Sequence, residues 1–179
     1  MCAPVVLALA VFAISALAAC APPPSGAYRL TFPVQGGADY SDSFGGIRSG
    51  GRAHAGQDLM APKMRPVVAA MAGRITWLRH ANGSSSGNML TITAPDGWST
   101  TYIHLNNDTP GTDDGRATRE QVFAPGIVLG ATVSAGQLIS WVGDSGNAES
   151  KSPHLHFELH RPGGAAVNAY PSLRAAPIL

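Results

Sequence analysis

Apolar and polar residues alternate with a period of two in several short runs of this chain. The clearest run is HLHFELH, His154 to His160, in which leucine or phenylalanine fills every second position. Successive side chains of a β-strand point to opposite faces of the sheet, so this alternation predicts a strand with one buried face. The three histidines and the glutamate of the run are therefore predicted to share the other face.

The remaining runs are also short, and glycine or proline separates them. They are YRLTFPV (28–34), PVVAAMAGRITWLRH (66–80), NMLTITAPDGWSTTYIHL (88–105) and QLISWVGDSGN (137–147). Asp96-Gly97 between two β-rich runs is a hairpin signal. No segment has an amphipathic helical period of useful length, and 21 glycines and 14 prolines interrupt the chain. The pattern predicts a single all-β or β-dominated domain.

Two longer segments lack this alternation and are predicted to be irregular. Residues 41–56, SDSFGGIRSGGRAHAG, are rich in glycine, and residues 106–126, NNDTPGTDDGRATREQVFAPG, form a long polar connection. Loops of this length are uncommon in compact domains and are often functional.

Composition and charge exclude some classes of partner. A formal charge of +1 and 13% charged residues in 179 fit one compact domain. This near-neutral balance predicts no strong electrostatic attraction to nucleic acid, so no nucleic-acid partner is expected.

The first nineteen residues predict export from the cytoplasm. The apolar run Val5–Ala19 has the length of a signal-peptide core and is shorter than the roughly 20 residues that a spanning helix needs. Its end, LAAC at 17–20, resembles the bacterial lipobox, in which a leader is removed before a lipid-bearing cysteine. We therefore expect a signal peptide at 1–19, a lipid-anchored tether at 20–27 and one domain at 28–179. The protein would then lie in the cell envelope, anchored to the membrane through Cys20 or otherwise secreted, and the mature chain would form no internal disulfide.

Two short motifs carry side chains that suit a metal ion. His54 and Asp58, in HAGQD, are four residues apart and share a face if the chain is extended. His154 and His156 also share a face, about 7 Å apart along a strand. Imidazole and carboxylate groups together suit zinc. Taken alone, each motif also fits a loop histidine near a turn-forming aspartate, or a solvated strand face.

Together the two motifs supply a set of three protein ligands. Two histidines and one aspartate would leave a fourth zinc position for water, as a catalytic zinc site requires. In TTYIHLNN, Tyr102 and His104 alternate with Ile103 and Leu105 and are predicted to face together. His104 is then either structural or, beside such a site, a candidate for proton transfer or oxyanion stabilisation.

The motifs HAGQD, YIHL and PHLHFEL, in this order, resemble the lysostaphin/LytM-type zinc endopeptidases, which cut the cross-bridges and stem peptides of peptidoglycan. The likeness runs from DSFGGIR to HLHFELH, about two thirds of the chain, and includes APKMRPVVAAMAGRI, GNMLTITAPDG and VSAGQLISWVGDSGN. The resemblance implies a compact antiparallel β-sheet domain whose metal ligands rise from neighbouring strands into an open groove.

The resemblance also implies a role for each site residue. His54, Asp58 and His156 would bind one Zn²⁺, and His104 and His154 would act beside it as base and oxyanion stabiliser, in either order. Zinc polarises the scissile carbonyl and lowers the pKa of bound water from about 15.7 toward 7. The implied function is an exported peptidoglycan metallo-endopeptidase acting on peptidoglycan peptides.

An alternative from another class is a LytM-like regulator that binds and activates a different cell-wall hydrolase. Such regulators usually lack some ligands, whereas all five positions are filled here. A lipoyl-like or biotinyl-like carrier would also explain VSAGQLISWVG, but such a carrier has no use for the histidine and aspartate set.

Three features fall outside the family motifs. His160 has no motif position and is expected to be solvated or structural, whereas Glu158 is expected to hydrogen-bond a ligand histidine. In the family a VxxGQ strand usually follows soon after the residue that corresponds to His104, but here Val133 comes 29 positions later. This insertion, which contains 106–126, either lines the groove and tunes substrate choice or is a solvated polar loop.

Overall fold

The structure is a computed structural model that describes residues 26–81 and 84–179. The predicted signal peptide, Cys20 and the residues up to 25 lie outside the described residues. The described chain contains nine strands: β1 Gln57–Met60, β2 Pro66–Val68, β3 Gly73–Arg79, β4 Asn88–Thr93, β5 Ser99–Leu105, β6 Thr132–Val133, β7 Leu138–Trp141, β8 His154–His160 and β9 Ala166–Val167. It also contains the helices α1 Arg119–Val122 and α2 Tyr170–Ala175 and the 3₁₀ turns Ser49–Gly51 and Gly146–Ala148. None of the helices in these ranges is long and apolar enough to cross a bilayer.

All strand pairings are antiparallel, and they form two sheets. The larger sheet has the order β1-β8-β5-β4-β3-β6, with β9 also paired to β8, and β2 and β7 form a separate two-stranded sheet. This order places β8 between β1 and β5. These three strands carry or flank the predicted site residues. The all-β antiparallel architecture expected from the sequence is confirmed.

Strand β8 shows how the sequence alternation directs the packing. Leu155, Phe157 and Leu159 are buried, and the residues between them are partly exposed. The buried face belongs to a single hydrophobic cluster that also includes Val67 and Ile139 of the smaller sheet. Removing these side chains from water is the main favourable contribution to folding, so alternation fixes which face of β8 turns toward the groove.

The predicted strand YRLTFPV does not form a regular strand. Its apolar side chains Leu30, Phe32 and Val34 are buried, but its backbone forms only single hydrogen bonds and an isolated bridge between Val34 and Val67 instead of a ladder. Proline at position 33 has no N–H to donate to a strand ladder, which explains why the segment packs without one.

The insertion 106–126 is more ordered than a solvated polar loop. Ala117, Val122 and Phe123 are buried in the hydrophobic cluster. Thr118 starts α1 with a capping box, in which its backbone N–H donates to Oε1 of Gln121 over 2.8 Å. The insertion therefore forms part of the domain core.

Candidate metal centre

The pairing of β1 with β8 brings Asp58 and His156 together. These two residues are directly opposite each other in the antiparallel register. Residues in register on adjacent antiparallel strands share a face of the sheet. Both side chains therefore point away from the hydrophobic core and into the same groove, where His156 Nδ1 lies 2.9 Å from Asp58 Oδ1.

His54 reaches the same point from the loop before β1. Its backbone pairs with the loop at Gly45 and Gly46, and its ring is 4% exposed. Between His54 and Asp58 the chain passes very close to β8 at Gly56. A Cβ at position 56 would lie 2.4 Å from the carbonyl oxygen of Phe157. A glycine is therefore required there for the loop to approach β8 closely enough to join the site.

The three predicted ligands converge on one point. His54 Nε2 lies 3.0 Å from Asp58 Oδ1 and 2.9 Å from His156 Nδ1. Zinc bound tetrahedrally at 2.0–2.1 Å separates its ligand atoms by about 3.3 Å, so only small outward shifts are needed to admit the ion. Two imidazole nitrogens and one carboxylate oxygen, with one side open to a groove, fit zinc.

Hydrogen bonds at the outer edge of the centre orient both histidine rings. His54 Nδ1 donates to the carbonyl oxygen of Ser43 over 2.9 Å, which leaves a lone pair on Nε2. His156 Nε2 lies 3.0 Å from Glu158 Oε1, so a proton there leaves Nδ1 as the ligand atom. The geometry expected for Glu158 is thus present, and such contacts fix the tautomer of a metal-binding histidine.

The charges of the centre are strongly coupled. In the metal-free centre, burial raises the pKa of Asp58, but hydrogen bonding with His156 and His54 outweighs burial and holds this pKa well below its usual range. Burial lowers the pKa of His156, whereas hydrogen bonds to Asp58 and Glu158 raise it, with a net rise. Asp58 is therefore ionised near neutral pH, as a metal ligand must be.

His104 reaches the groove through an irregular backbone. Its φ of 62° lies in the left-handed region, which is uncommon for a residue other than glycine. The pairing of β4 with β5 shifts register between Asn88 and Leu90, which marks a β-bulge opposite His104. Bulges redirect side chains and are common beside active sites.

The prediction that Tyr102 and His104 face together is wrong. Tyr102 is fully buried and packs edge-on against Phe157, with ring centroids 5.4 Å apart. Ile103 pairs with His156 and lines the groove together with His104. The positive φ at His104 breaks the alternation, so consecutive side chains turn to the same side.

His104 and His154 lie next to each other beside the three ligands. Their ring centroids are 5.1 Å apart, and His154 Nε2 is 4.0 Å from Asp58 Oδ1. His104 Nδ1 donates to the carbonyl of Ser145 over 2.7 Å, and His154 Nδ1 donates to that of Ser152 over 2.8 Å. In the neutral form each ring then carries a lone pair on Nε2. Burial lowers the pKa of His104 to about 4, although the Ser145 carbonyl raises it.

His160 is tied to the centre through Glu158 and does not merely face solvent. Its Nε2 lies 2.8 Å from Glu158 Oε2, and its Nδ1 donates to the carbonyl of Gly164 over 3.0 Å. Burial raises the pKa of Glu158, but hydrogen bonds to His156 and His160 bring it down to about 2. His160 therefore fixes the orientation of the carboxylate that holds His156.

The site opens into a groove of about 520 Å³. Arg48, Arg52 and Lys151 line it, and no residue of the insertion 106–126 does so. The insertion instead borders an adjoining depression through Asn107 and Gly115. It therefore extends the surface beside the groove but contributes no wall to the groove itself.

Two residues of the site were not predicted from the sequence. Arg48 forms an ion pair with Asp58 Oδ2, and its Nη2 also lies 2.9 Å from His54 Nε2, beside the predicted ligand atoms. It lies in a loop, where no periodicity identifies it. Gln57 is fully buried and accepts from the backbone N–H of Ser43 over 3.0 Å. The sequence feature that could have identified Gln57 is its polar side chain at a position of β1 where alternation predicts an apolar residue.

Comparison with known proteins decides the family. Residues 52–169 match the model of Peptidase family M23. The chain belongs to peptidase family M23. This match covers the three converging ligands and both neighbouring histidines, and it confirms the resemblance seen in the motifs.

Two curated relatives of this M23 chain are considerably longer. Cell division protein DipM of Caulobacter vibrioides (strain NA1000 / CB15N) is 26% identical over 135 residues, 75% of this chain and 18% of that protein. The L-Ala–D-Glu endopeptidase of Bacillus subtilis (strain 168) is 27% identical over 158 residues, 84% of this chain and 44% of that protein. The chain therefore spans less than half the length of either relative.

A solved structure has nearly the same extent as this M23 domain. The catalytic domain of the antimicrobial peptidase lysostaphin from Staphylococcus simulans superposes with a TM-score of 0.60 at 25% identity. The match covers 76% of this chain and 92% of that one. The two chains therefore share one architecture.

Proposed function

We propose that this M23 protein is a zinc-dependent endopeptidase that hydrolyses peptide bonds of peptidoglycan outside the cytoplasm. The observation that carries the proposal is the convergence of His54 Nε2, Asp58 Oδ1 and His156 Nδ1 within 3.0 Å of one another in an open groove. A purely structural zinc site would be closed by a fourth protein ligand. An exported location follows from the predicted leader and Cys20.

The residues around the proposed zinc ion would each have a defined task. His54, Asp58 and His156 would hold the ion, which when bound supplies a Lewis acid that polarises a peptide carbonyl and activates water. Ser43 and Glu158 keep the protons of the two ligand histidines on the outer nitrogens. The lone pairs of His54 Nε2 and His156 Nδ1 then face the ion, and no proton competes with the metal for them.

His104 and His154 would accept and donate protons during hydrolysis. His104 is buried and neutral above about pH 4, so its Nε2 acts as a proton acceptor. A proton on His154 Nε2 would point toward the Asp58 carboxylate 4.0 Å away, at the edge of the proposed ion site. We therefore assign His104 as the base and His154 as the donor to the developing oxyanion.

The shape and charge of the groove suit an extended peptide that carries carboxylates. Arg52 and Lys151 line it beyond the Arg48–Asp58 ion pair, and its acidic residues Asp58 and Glu158 are also engaged by histidines. Peptidoglycan stem peptides are rich in carboxylates, and the Bacillus relative is an L-Ala–D-Glu endopeptidase. Stem peptides are therefore the substrate class that we favour.

Metal analysis and digestion of peptidoglycan by the purified protein test this function. We expect one zinc per chain in the wild type and in His104→Ala, and no zinc in His156→Ala. Peptide release should be lost in His156→Ala and should fall about 10²–10⁴-fold in His104→Ala, the range typical of a lost acid–base group.

His80→Ala is the matched control, because His80 is an exposed histidine away from the groove. It should keep both zinc and activity. Zinc retained in His156→Ala would refute the ligand assignment. A wild-type protein that binds zinc but releases no peptide would favour the alternative function, a regulator of another cell-wall hydrolase.

A further inference from the structure

Two cationic side chains of the groove have no partner of their own. Arg52 and Lys151 both line the groove and are exposed. Within residues 26–81 and 84–179, no carboxylate lies at ion-pair distance from either side chain. Arg48, by contrast, is already paired with Asp58. The guanidinium of Arg52 and the ammonium of Lys151 are therefore free to bind a ligand.

The acidic residues of the groove do not neutralise these two cations. Asp58 and Glu158 are the carboxylates that line it. Arg48 and two histidines contact Asp58, and two histidines contact Glu158. Three Arg and Lys side chains and two carboxylates give the groove a formal charge of +1 (3 − 2), and a bound zinc ion would add two more positive charges. The groove therefore attracts anionic groups, although the whole chain carries a charge of only +1.

Arg52 and Lys151 approach the proposed zinc centre from different sides. The centre lies on β1 and β8, which are antiparallel neighbours with Asp58 opposite His156. Arg52 precedes the first residue of β1 by five positions, and Lys151 precedes the first residue of β8 by three. Because the chain enters two antiparallel strands from opposite ends, the two cations belong to opposite ends of this strand pair. Each is thus placed to bind a separate anionic group.

We propose that Arg52 and Lys151 each bind a carboxylate of the substrate, so that the groove selects stem peptides with free carboxylates over amidated ones. This inference rests on the proposed function, because it states what the same groove recognises in its substrate. Hydrogen bonds from a cation to a carboxylate are roughly twice as strong as those between neutral groups. Amidation removes the charge of a carboxylate and barely changes its size, so these two cations, and not the shape of the groove, provide the discrimination. A cell wall with amidated stem peptides would resist hydrolysis.

Calorimetry with a matched pair of peptides tests the proposal. The probes are the stem tripeptide L-Ala–D-Glu–diaminopimelate with free carboxylates and the same tripeptide with side-chain carboxamides. Binding is measured on zinc-loaded His104→Ala, which does not consume the peptide. We expect the free form to bind about 25-fold more tightly, from about fivefold per cation, the upper end for an exposed ion pair. This preference should shrink when NaCl is raised from about 0.05 M to about 0.5 M, because salt screens exposed charges.

Binding does not require catalysis, so failure of this inference is distinct from failure of the proposed function. Peptide release by the wild-type protein tests the proposed function, whereas the ratio of the two affinities tests the selection of carboxylates. A protein that cleaves peptidoglycan but binds both tripeptides equally would retain the function and overturn the inference.

Single and double variants in the same background assign the preference to the two side chains. Arg52→Gln and Lys151→Gln each remove one charge from an exposed position and should each lower the preference to about fivefold. The double variant should bind both tripeptides equally, because independent contacts add. Lys151→Arg keeps the charge and should keep the preference. Arg161→Gln is the matched control, because Arg161 is exposed just after β8 and does not line the groove.

Three results would overturn the proposal. Equal affinity for the two tripeptides before either cation is replaced would show that the groove does not distinguish carboxylates from carboxamides. A preference that survives in the double variant would show that the zinc ion or another group binds the carboxylates. An equal decrease in Arg161→Gln would show that net charge, and not the position of Arg52 and Lys151, causes the preference.

Discussion

At the scale of single residues, His104 shows how far its surroundings alter a side chain. The sequence identified it from the YIHL motif but assigned it the same face as Tyr102. The left-handed φ of 62° reverses that assignment and places the ring over the groove. Such backbone strain costs of order 1–3 kcal/mol and is usually retained only where the surrounding structure imposes it. Burial of the ring then determines its protonation.

The depressed pKa of His104 predicts a pH-dependent stability. Burial holds its pKa at about 4, below the ordinary value of 6.5. Between these pH values the unfolded chain binds a proton that the folded chain does not, so the free energy of unfolding falls as the pH falls from 6.5 to 4. The loss is at most about 3 kcal/mol.

Urea unfolding of the metal-free protein at pH 7 and 4.5 should show this loss of stability. The loss should be smaller in His104→Gln but unchanged in His80→Gln. An equal pH dependence in both variants would exclude His104 as the source.

At the scale of elements, regular strands could be predicted from the sequence and irregular segments could not. The alternation in β8 predicted both the strand itself and the face that His154 and His156 share. It did so because burial of the apolar side chains enforces a period of two. The bulge in β5 and the path of 41–56 depend on contacts with other strands, such as the approach of Gly56 to Phe157. Such contacts between distant segments leave no periodic pattern in the sequence.

Gln57 connects the core of β1 to the metal centre, and its replacement by leucine tests that connection. Its Oε1 accepts from Ser43, whose carbonyl orients His54, and its Nε2 donates to Asp42 and Asn168. Gln57→Leu removes these hydrogen bonds and should lower the free energy of unfolding by about 1–3 kcal/mol. It should also weaken zinc binding about 10–100-fold, as loss of contacts behind a ligand usually does.

Chelator competition and urea unfolding measure the two effects of Gln57→Leu separately. Gln35→Leu makes the same change at an exposed position and should alter neither. Lower stability with unchanged zinc affinity would mean that the Gln57 network supports only the fold.

At the scale of the whole molecule, the two sheets are joined by apolar packing, by backbone hydrogen bonds between the ends of β5 and β7, and by a buried hydroxyl. Tyr102 of β5 accepts from the backbone N–H of Ala70, just beyond β2, over 2.7 Å, and from Thr100 Oγ1 over 3.0 Å. Burial raises the pKa of Tyr102 to about 12, so the hydroxyl stays neutral at physiological pH. The larger sheet, which carries the site, is thereby fixed to the smaller one.

Tyr102→Phe should destabilise the whole domain and leave the groove unaltered. The change leaves the N–H of Ala70, which is 1% exposed, without its acceptor. An unpaired buried donor costs about 1–3 kcal/mol, and each kcal/mol lowers the Tm by roughly 2–4 °C in a domain of this size. Thermal unfolding should show this decrease, with Tyr170→Phe, at a partly exposed tyrosine, close to wild type. Zinc content should stay the same, because Tyr102 points away from His54, Asp58 and His156. A Tyr102→Phe protein as stable as the wild type would show that the Tyr102 hydroxyl contributes nothing to joining the sheets.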